Sequence, residues 1–345
     1  MRNDKPIFKS YEPPYRITPA VLSLVEMIGE HLGVIKSASS DSQWPHLHRI
    51  NRIKSVQGTL EIEGNTLSID QVTAVLDGKR VMANPRELLE VQNAFAVYED
   101  LDRWKTDSHE DLLSAHQMMM AGLVDEPGRF RSGNVGVHDA DRVLHVAPGP
   151  DRVPELMAAL LNWLNRTDEH PLIASSAFHY ELEFVHPFQD GNGRMGRLWQ
   201  TLILGNWNPV FYVLPLESMI RDNRSRYYET INRSNEAGES TEFIGFVLQM
   251  IEAVLADHAG TEHDAEYVTE QVERLIGVFG EGAYAAKELM AALGLNHRPT
   301  FLYNYLQPAI KTGLIQMTRP ESPRSRNQKY RLTPEGVRQK KQMLR

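Results

Sequence analysis

The sequence contains no cysteine, which excludes disulfide bonds and thiolate metal sites. It has no run of the roughly 18 uncharged apolar residues that a membrane-spanning helix needs, so we predict no membrane partner. The 13 histidines are scattered and form no H-E-x-x-H zinc pattern. The N-terminal stretch is polar and bears prolines, without the apolar centre of a secretory signal, which favours a cytoplasmic protein.

Length and charge indicate more than one domain. The chain has 345 residues, of which 41% are apolar, enough for two or three soluble domains with their own cores. Residues 296–345 hold eleven Lys or Arg and two Asp or Glu, a net charge of +9, whereas the whole chain carries −8 and the remainder therefore −17. Such asymmetry favours separate domains with different partners.

Helical periodicity dominates the sequence, and strand patterns are scarce, so we predict a mainly α fold. Predicted helices begin at polar N-cap residues, namely Thr18, Ser68, Asn84 and Ser108. The third of these is predicted to run to Trp104. The clearest strand signal is NVGVHDADRVLHVAP, residues 134–148, where two Val-containing runs flank turn formers at 139–141 and predict a small β-hairpin.

Composition and the positions of capping and turn residues divide the chain into three predicted regions. A helical region covers residues 1–83, a core covers 84–256, and a C-terminal domain covers 262–345, with a break around 256–266. The last region has a helix-turn-helix pattern followed by two short strands and a basic loop, which is typical of a winged helix. Its basic side chains include Arg324, Arg326, Lys329 and Arg331. Contact of these groups with DNA phosphates is one hypothesis for this domain.

The segment GNGRMG, residues 191–196, matches the dinucleotide fingerprint G-x-G-x-x-G and comes close to a phosphate-binding P-loop. Both motifs need a buried strand leading into the glycines. The apolar residues from Ile173 to Val185 instead recur at helical spacing, so a helix enters this loop and both readings fail. A calcium loop is also excluded, because Arg194 would occupy a ligand position.

The glycines and arginines of this loop suit phosphate binding. Gly191 and Gly193 allow the backbone to approach an anion closely, and successive N–H groups at a helix start form an anion nest. Arg194 and Arg197 are three residues apart on the helix that follows, so both can reach one side and offer bidentate guanidinium groups to phosphate oxygens.

Two further side chains complete a set that predicts phosphoryl or nucleotidyl transfer. Asp190 is a hard oxygen ligand of the kind that Mg²⁺ takes together with phosphate oxygens and water. His186 carries an imidazole, the usual general base of proteins, and can accept a proton from an attacking hydroxyl. Base, metal ligand, anion nest and two cations thus lie within twelve residues.

The stretch HPFQDGNGRMGR, residues 186–197, resembles the motif of the Fic family, HPFx(D or E)GNGRxxR, at every defined position. The likeness covers about residues 40–255 and implies a helical bundle with a small hairpin flap. It also implies transfer of AMP from ATP–Mg²⁺ to a hydroxyl side chain of a target protein, or of the protein itself. Residues 135–146 are similar to the family's flap, which docks the target segment by strand addition.

Carried over by position, the resemblance implies a role for each motif residue. His186 would be the general base, and Asp190 would hold Mg²⁺. The residues expected to bind ATP are Gly191, Asn192, Gly193, Arg194 and Arg197, of which the two arginines also serve catalysis. The region around Tyr227 and Tyr228 would lie near the adenine.

A second stretch, TLEIEGN, residues 59–65, fits the family's inhibitory pattern (S or T)-x-x-x-E-(G or N) through Thr59, Glu63 and Gly64. The resemblance implies that Glu63 pairs with Arg197 and competes with the γ-phosphate of ATP for its guanidinium. Gly58 departs from relatives, which often have serine there. Because glycine inside a helix costs up to about 1 kcal/mol, it predicts a looser inhibitory helix.

Three hypotheses therefore stand. The first is an autoinhibited protein adenylyltransferase whose partners are ATP and a protein with a Ser, Thr or Tyr hydroxyl. The second is a hydrolase that removes AMP from a modified target through the same site, with Glu63 orienting the water. The third is a DNA-binding regulator acting through the C-terminal domain. The sequence leaves the oligomeric state open.

Overall fold

The computed structural model describes residues 11–38, 44–139, 142–263, 270–280, 282–295, 298–311, 313–319, 325 and 328–343. The chain forms two compact units, Met1–Ala259 and Gly260–Arg345. The described residues are mainly helical, which confirms the predicted fold class. Within the same residues, no helix combines the length and apolar character that a bilayer crossing demands.

The first unit is a bundle of helices whose last member continues to His263. Its α-helices are α1 (Pro19–Ala38), α2 (Trp44–Ile62), α3 (Ile69–Leu76), α4 (Pro85–Glu99), α5 (His109–Met119), α6 (Val153–Arg166), α7 (Pro171–Val185), α8 (Asn192–Trp207), α9 (Leu216–Asp222), α10 (Arg224–Ala237) and α11 (Thr241–His263). Short 3₁₀ turns cover Leu101–Arg103, Pro150–Arg152 and Pro209–Tyr212.

The predicted helix starts are confirmed by cap geometry. Ser68 and Gln71 form a reciprocal capping box at α3, and the side chains of Asn84 and Ser108 accept backbone N–H groups at α4 and α5. The helix predicted to reach Trp104 ends earlier, at Glu99, and a 3₁₀ turn follows. α11 continues as helix through part of the region where a break was predicted.

Helices α7 and α8 form the centre of the first unit. Both are buried around most of their circumference, as expected for helices surrounded by other elements. Phe178, Phe188 and Trp199 are fully buried here. The loop that joins these two helices carries the motif found in the sequence, so both of its ends are fixed by buried helices.

The predicted hairpin is present as strands β1 (Gly136–Asp139) and β2 (Arg142–Val146). They pair antiparallel, with Val137 opposite His145 and a register shift after Val137. Residues 140 and 141 of the predicted turn lie outside the described residues.

Gly58 has a packing role that the sequence did not reveal. A Cβ at this position would lie 2.9 Å from the backbone nitrogen of Ser218 and 3.0 Å from the carbonyl carbon of Glu217. Glycine therefore permits α2 to approach the backbone of α9 closely. The Oγ of Ser218 also donates to the carbonyl of Lys54 in α2 at 3.3 Å, which ties the two helices together.

The second unit packs its helices on a three-stranded sheet. Its elements are α12 (Glu270–Val278), β3 (Tyr284–Ala285), α13 (Ala286–Ala292), α14 (Arg298–Phe301), a π-helical turn (Leu302–Leu306), α15 (Gln307–Lys311), β4 (Ile315–Met317), β5 (Lys329–Leu332) and α16 (Pro334–Met343). The sheet is antiparallel in the order β3-β5-β4.

Two features of this unit differ from the sequence prediction. Strand β3 was not predicted, because two residues are too few to show alternation. The helix expected from Pro299 to Thr312 is interrupted by the π-helical turn. Of the basic side chains proposed for DNA, Arg324 and Arg326 lie outside the described residues. The winged-helix assignment stays a prediction.

Candidate active site

The loop between α7 and α8 begins with a backbone conformation that is costly for most residues. His186 has φ 49° and ψ 61° and is the one non-glycine residue with positive φ among those the structure describes. A non-glycine residue held in this region costs of order 1 kcal/mol and needs support from its surroundings. The conformation ends α7 and turns the chain into the loop.

Asn192 and His116 hold the loop in place. The side chain of Asn192 accepts from the N–H of Phe188 at 2.8 Å and donates to the carbonyl of Phe188 at 2.9 Å. This buried amide is thus committed to the loop, so its own contribution to an anion site would come from the backbone. Asn192 stays a predicted ATP-binding residue, with its side chain engaged in the loop and its backbone N–H at the start of α8.

His116 on α5 supports the same loop from the other side, and the sequence offered no signal for it. Its ring stacks on Phe188 at 3.7 Å between centroids. The N–H of Gly128 donates to Nδ1 at 2.9 Å, so the proton resides on Nε2, which donates to the carbonyl of Asp190 at 3.0 Å. Burial lowers the pKa of His116 to about 4, so the imidazole is neutral near pH 7.

The start of α8 is an uncapped helix N-terminus. Gly191 occupies the N-cap position with φ 89°, and no side chain caps the helix. Its first N–H groups and the positive end of its dipole therefore favour an anion. Gly193 stands in the first turn, where a Cβ would lie 2.5 Å from Oε1 of Glu63. The carboxylate of Glu63 thus lies directly over the backbone that was predicted to bind phosphate.

Arg197 is buried on α8 and takes its partners from α2 and the turn that follows it. Its Nη2 donates to Oε1 of Glu63 at 2.6 Å. Its Nε donates to Oγ1 of Thr59 at 2.9 Å, and Nη2 also contacts the Thr59 carbonyl at 3.2 Å. Nη1 has no hydrogen-bond partner among the residues that the structure describes. The predicted pairing of Glu63 with Arg197 is therefore seen in the structure.

Asp190, just before the N-cap of α8, pairs with Arg194 on that helix. Nη2 of Arg194 donates to Oδ1 of Asp190 at 2.9 Å, and the N–H of Gly191 donates to the same oxygen at 2.6 Å. Two residues of α4, which the sequence did not indicate, stand beside this pair. Arg86 approaches Oδ2 of Asp190 at 3.5 Å, and Glu90 lies 3.9 Å from Arg194.

The donor set at Asp190 fits magnesium bound together with phosphates. The Asp190 side chain is 43% exposed, so an ion can reach it. Among the described residues, no group of three or more His, Cys, Asp or Glu is placed to hold a metal. Mg²⁺ commonly takes one or two carboxylates and completes its shell with phosphate oxygens and water, so a single aspartate suits it only when nucleotide is present.

A cluster of buried polar groups lies behind Arg197. Tyr227 donates to Oε1 of Glu183 at 3.4 Å and contacts Nε2 of His179 at 3.0 Å. Burial raises the pKa of Glu183 to about 7; the charge of Arg197 opposes this rise, and that of Glu63 adds to it. Burial lowers the pKa of His179 to about 3. Tyr227 is itself buried, so it supports the site from the interior of the first unit.

Comparison with solved structures identifies the relatives of this chain. It is similar to a Fic family protein from Desulfovibrio desulfuricans G20, with 51% sequence identity and a TM-score of 0.73, over 94% of this chain and 99% of that one. The chain belongs to the Fic family. The fragment of Fic-1 from C. elegans is a more distant Fic structure, with 25% identity and a TM-score of 0.55, over 72% of this chain and 73% of that one.

Family descriptions match both units of this Fic protein. The Fic/DOC family matches residues 106–204, which include the whole α7–α8 loop. The family described as "Filamentation induced by cAMP protein Fic-like, C-terminal domain" matches residues 270–333. Glu63 and Thr59 lie outside both matches, so their place in the site follows from the geometry above.

Curated relatives of this Fic protein carry a functional name. The protein adenylyltransferase Fic of Nematostella vectensis is 30% identical over 237 residues, which are 64% of this chain and 50% of that protein. The chain spans about half the length of the curated relatives it matches.

Proposed function

We propose that this protein transfers AMP from ATP to a hydroxyl side chain of a protein. The observation that carries the proposal is the convergence on one loop of His186, Asp190, an uncapped helix N-terminus and two buried arginines. Within the described part of the chain, each arginine keeps a buried N–H without a partner, at Nε of Arg194 and Nη1 of Arg197. Unpaired buried donors are rare, and phosphate oxygens would satisfy them.

The chemistry asks this chain for positioning and charge neutralisation. The target hydroxyl attacks the α-phosphorus of ATP, the bond to the β-phosphate oxygen breaks, and pyrophosphate leaves. His186 accepts the proton of the attacking hydroxyl. The N–H groups at the start of α8 and the two arginines hold the phosphates, so that attack is in line. Asp190 would hold Mg²⁺, which neutralises phosphate charge.

Glu63 keeps this activity low. Its carboxylate occupies the guanidinium of Arg197 and lies over Gly193. A γ-phosphate would need the same guanidinium, and both anions cannot occupy it. With Glu63 in place, ATP therefore binds with its triphosphate away from the pose that in-line attack requires.

The reverse reaction is a second candidate, and one observation favours it. The Glu63 side chain is 29% exposed, so the carboxylate of this residue can contact water as well as Arg197. A water activated there could attack the phosphorus of an AMP-modified hydroxyl, with His186 returning the proton to the leaving oxygen.

Intact-mass analysis after incubation with ATP–Mg²⁺ tests the proposal. We expect Glu63→Gly to gain AMP at least about tenfold faster than the wild type, because Arg197 becomes available to the γ-phosphate. Adding His186→Ala should abolish the gain. Glu61→Gly is the matched control, since the Glu61 carboxylate meets Arg221 and not Arg197. No AMP gain, and no transfer to any protein of a cell lysate, would contradict the proposal.

The same variants separate transfer from removal. Protein carrying AMP, made with Glu63→Gly and freed of ATP, is mixed with fresh wild type or fresh Glu63→Gly in Mg²⁺ buffer. If removal is a function of this site, wild type releases AMP and Glu63→Gly does not. Equal stability of the modification in both mixtures would exclude the second candidate.

A further inference from the structure

Arg131 lies in the segment between α5 and β1 and is buried. Its hydrogen bonds go to backbone carbonyls in two parts of the first unit. Nη1 donates to Gly133 at 2.9 Å, and Nη2 donates to Pro148 at 2.5 Å. Nε donates to His186 at 2.7 Å, and Nη2 reaches Val185 at 3.3 Å. A planar guanidinium with five donors is suited to join several carbonyls at fixed angles.

Two of these carbonyls flank the hairpin. Gly133 stands three residues before β1, and Pro148 stands two residues after β2. One side chain thus closes the base of the hairpin, where the chain enters and leaves it. Two-stranded hairpins are marginally stable alone, so their position depends on such anchors.

The other carbonyls belong to the strained turn at the end of α7. Arg131 binds the carbonyl of His186 through its side chain, and its own N–H donates to the carbonyl of Pro187 at 2.9 Å. The peptide groups that follow His186 and Pro187 are thereby held on both sides of the loop entrance. This is the support that a non-glycine residue with φ 49° requires.

We propose that Arg131 is a positioning residue that couples the hairpin to the imidazole of His186. The inference rests on the proposed function, in which His186 takes the proton of the target hydroxyl, and on the predicted role of the hairpin as the flap that docks the target segment. Proton transfer demands that donor and acceptor approach to hydrogen-bond distance, and misplacement by about 1 Å can cost about 100-fold in rate. Arg131 sets the separation between the hairpin and His186, because one rigid group binds the carbonyls at the base of the hairpin and the backbone carbonyl of the residue that bears the imidazole.

Lysine cannot replace this arginine. Its ammonium group is a compact point charge with three donors, whereas the four carbonyls here are arranged around the planar guanidinium. We therefore expect Arg131→Lys to keep the charge and lose the coupling. Arg131→Gln keeps a shorter planar amide and loses the charge. Arg129 is the matched control, since it lies two residues earlier, is exposed and pairs only with Glu126 among the contacts the structure describes.

Hydrogen–deuterium exchange tests the coupling without relying on activity. In Arg131→Lys we expect amide exchange to rise at least about tenfold in peptides covering residues 133–148 and 183–190 together, with α4 unchanged and Arg129→Lys like the wild type. A rise in one of the two peptides alone would overturn the proposal, because the segments would then be anchored independently. A rise throughout the chain would assign Arg131 a general structural role instead.

Kinetics in the Glu63→Gly background test the consequence for catalysis. We expect the maximal rate of AMP gain to fall at least about tenfold in Arg131→Lys and Arg131→Gln, with the KM for ATP within about twofold of the parent. Equal losses in rate and ATP affinity, or no loss, would overturn the proposal. A Glu63→Gly parent that transfers no AMP would instead contradict the proposed function, and exchange would still decide the coupling.

Discussion

Arg194 and Arg197 stand three residues apart on α8, and both are buried, yet their partners come from different distances along the chain. Arg194 pairs with Asp190, four residues away, whereas Arg197 pairs with Thr59 and Glu63, more than 130 residues away. We call the first group (Asp190, Arg194) the local end of the site and the second (Thr59, Glu63, Arg197) the remote end.

Under the proposed function, the local end serves catalysis and the remote end serves control. At the local end, the shortest ion pair joins the loop to the first turn and a half of α8, so the predicted metal ligand is held by a neighbour in sequence, with Arg86 and Glu90 of α4 farther away. At the remote end, the anion over Gly193 is the carboxylate of Glu63, in the turn that follows α2 and far from the loop in sequence. We expect loss of the Glu63 contact to leave the loop in place, because the hydrogen bonds of the loop to Asn192 and His116 do not involve Glu63.

The largest expected effect concerns the local end. In a Glu63→Gly background, Asp190→Asn should lower AMP transfer by about 100-fold or more, because it removes the one carboxylate suited to Mg²⁺ there. The rate of AMP gain by intact mass measures this. Asp125→Asn, at an exposed loop position, is the control and should match the parent. Equal rates for the two variants would show that the local end does not hold the metal.

At the remote end, Glu63→Gln should lower the free energy of unfolding of the nucleotide-free protein by about 1–3 kcal/mol, since it leaves the buried guanidinium of Arg197 without a counter-charge. Urea unfolding measures it. Glu61→Gln removes a more exposed ion pair and should change stability by less than about 0.5 kcal/mol. Similar values for both would mean that the Glu63 contact contributes no more than a surface pair.

The remote end should also respond to pH through Glu183. Its pKa in the folded protein is about 7, above its ordinary 4.5, so the folded state holds more protons than the unfolded one between these values. The contribution of Glu183 to the free energy of unfolding is therefore complete at acid pH and is lost as the pH rises through about 7. The groups facing it are Arg197, Glu63, Tyr227 and His179.

The free energy of unfolding of Glu183→Gln should therefore equal that of the wild type near pH 4.5. Near pH 8 it should be higher than that of the wild type by about 1–2 kcal/mol. Thermal unfolding across this range measures the difference. Parallel stability curves would contradict the shifted pKa.

Thr59→Val should have a smaller effect at the remote end. The hydroxyl that accepts from Nε of Arg197 is lost, at a cost of about 1 kcal/mol in stability, and AMP transfer should rise about threefold, because the guanidinium of Arg197 is held less firmly against Glu63. Thr66→Val is the control, since its hydroxyl contacts Glu87 at an exposed position. An unchanged transfer rate would show that Glu63 alone maintains inhibition.

The smallest effect is expected beside the local end. Arg86 is half exposed and lies 3.5 Å from Oδ2 of Asp190, so Arg86→Gln removes a weak, screened attraction. We expect a change of less than about threefold in the KM for Mg²⁺, towards tighter binding, because a competing cation is gone. A loss of tenfold or more would show that Arg86 itself binds substrate.

Much of the local architecture could be predicted from sequence because it depends on neighbours along the chain. Caps at Ser68, Asn84 and Ser108 marked helix starts, and the order of residues from His186 to Arg197 identified the loop. The pairing of Glu63 with Arg197 was anticipated only through the family pattern, since no local signal links the two. His116, Arg86, Glu90 and Arg131 were missed, because single polar residues outside a motif carry no mark of what they will contact.

The sequence by itself determined the helical fold and the chemical groups on the α7–α8 loop, because hydrophobic periodicity, caps and glycine conformations act over a few residues. The tertiary structure alone decided that Gly58 lets α2 approach α9, that Asn192 serves the loop through its side chain, and that one guanidinium at Arg131 joins the hairpin to His186. These depend on the directions of donors and the space between helices, which arise only when distant segments pack together.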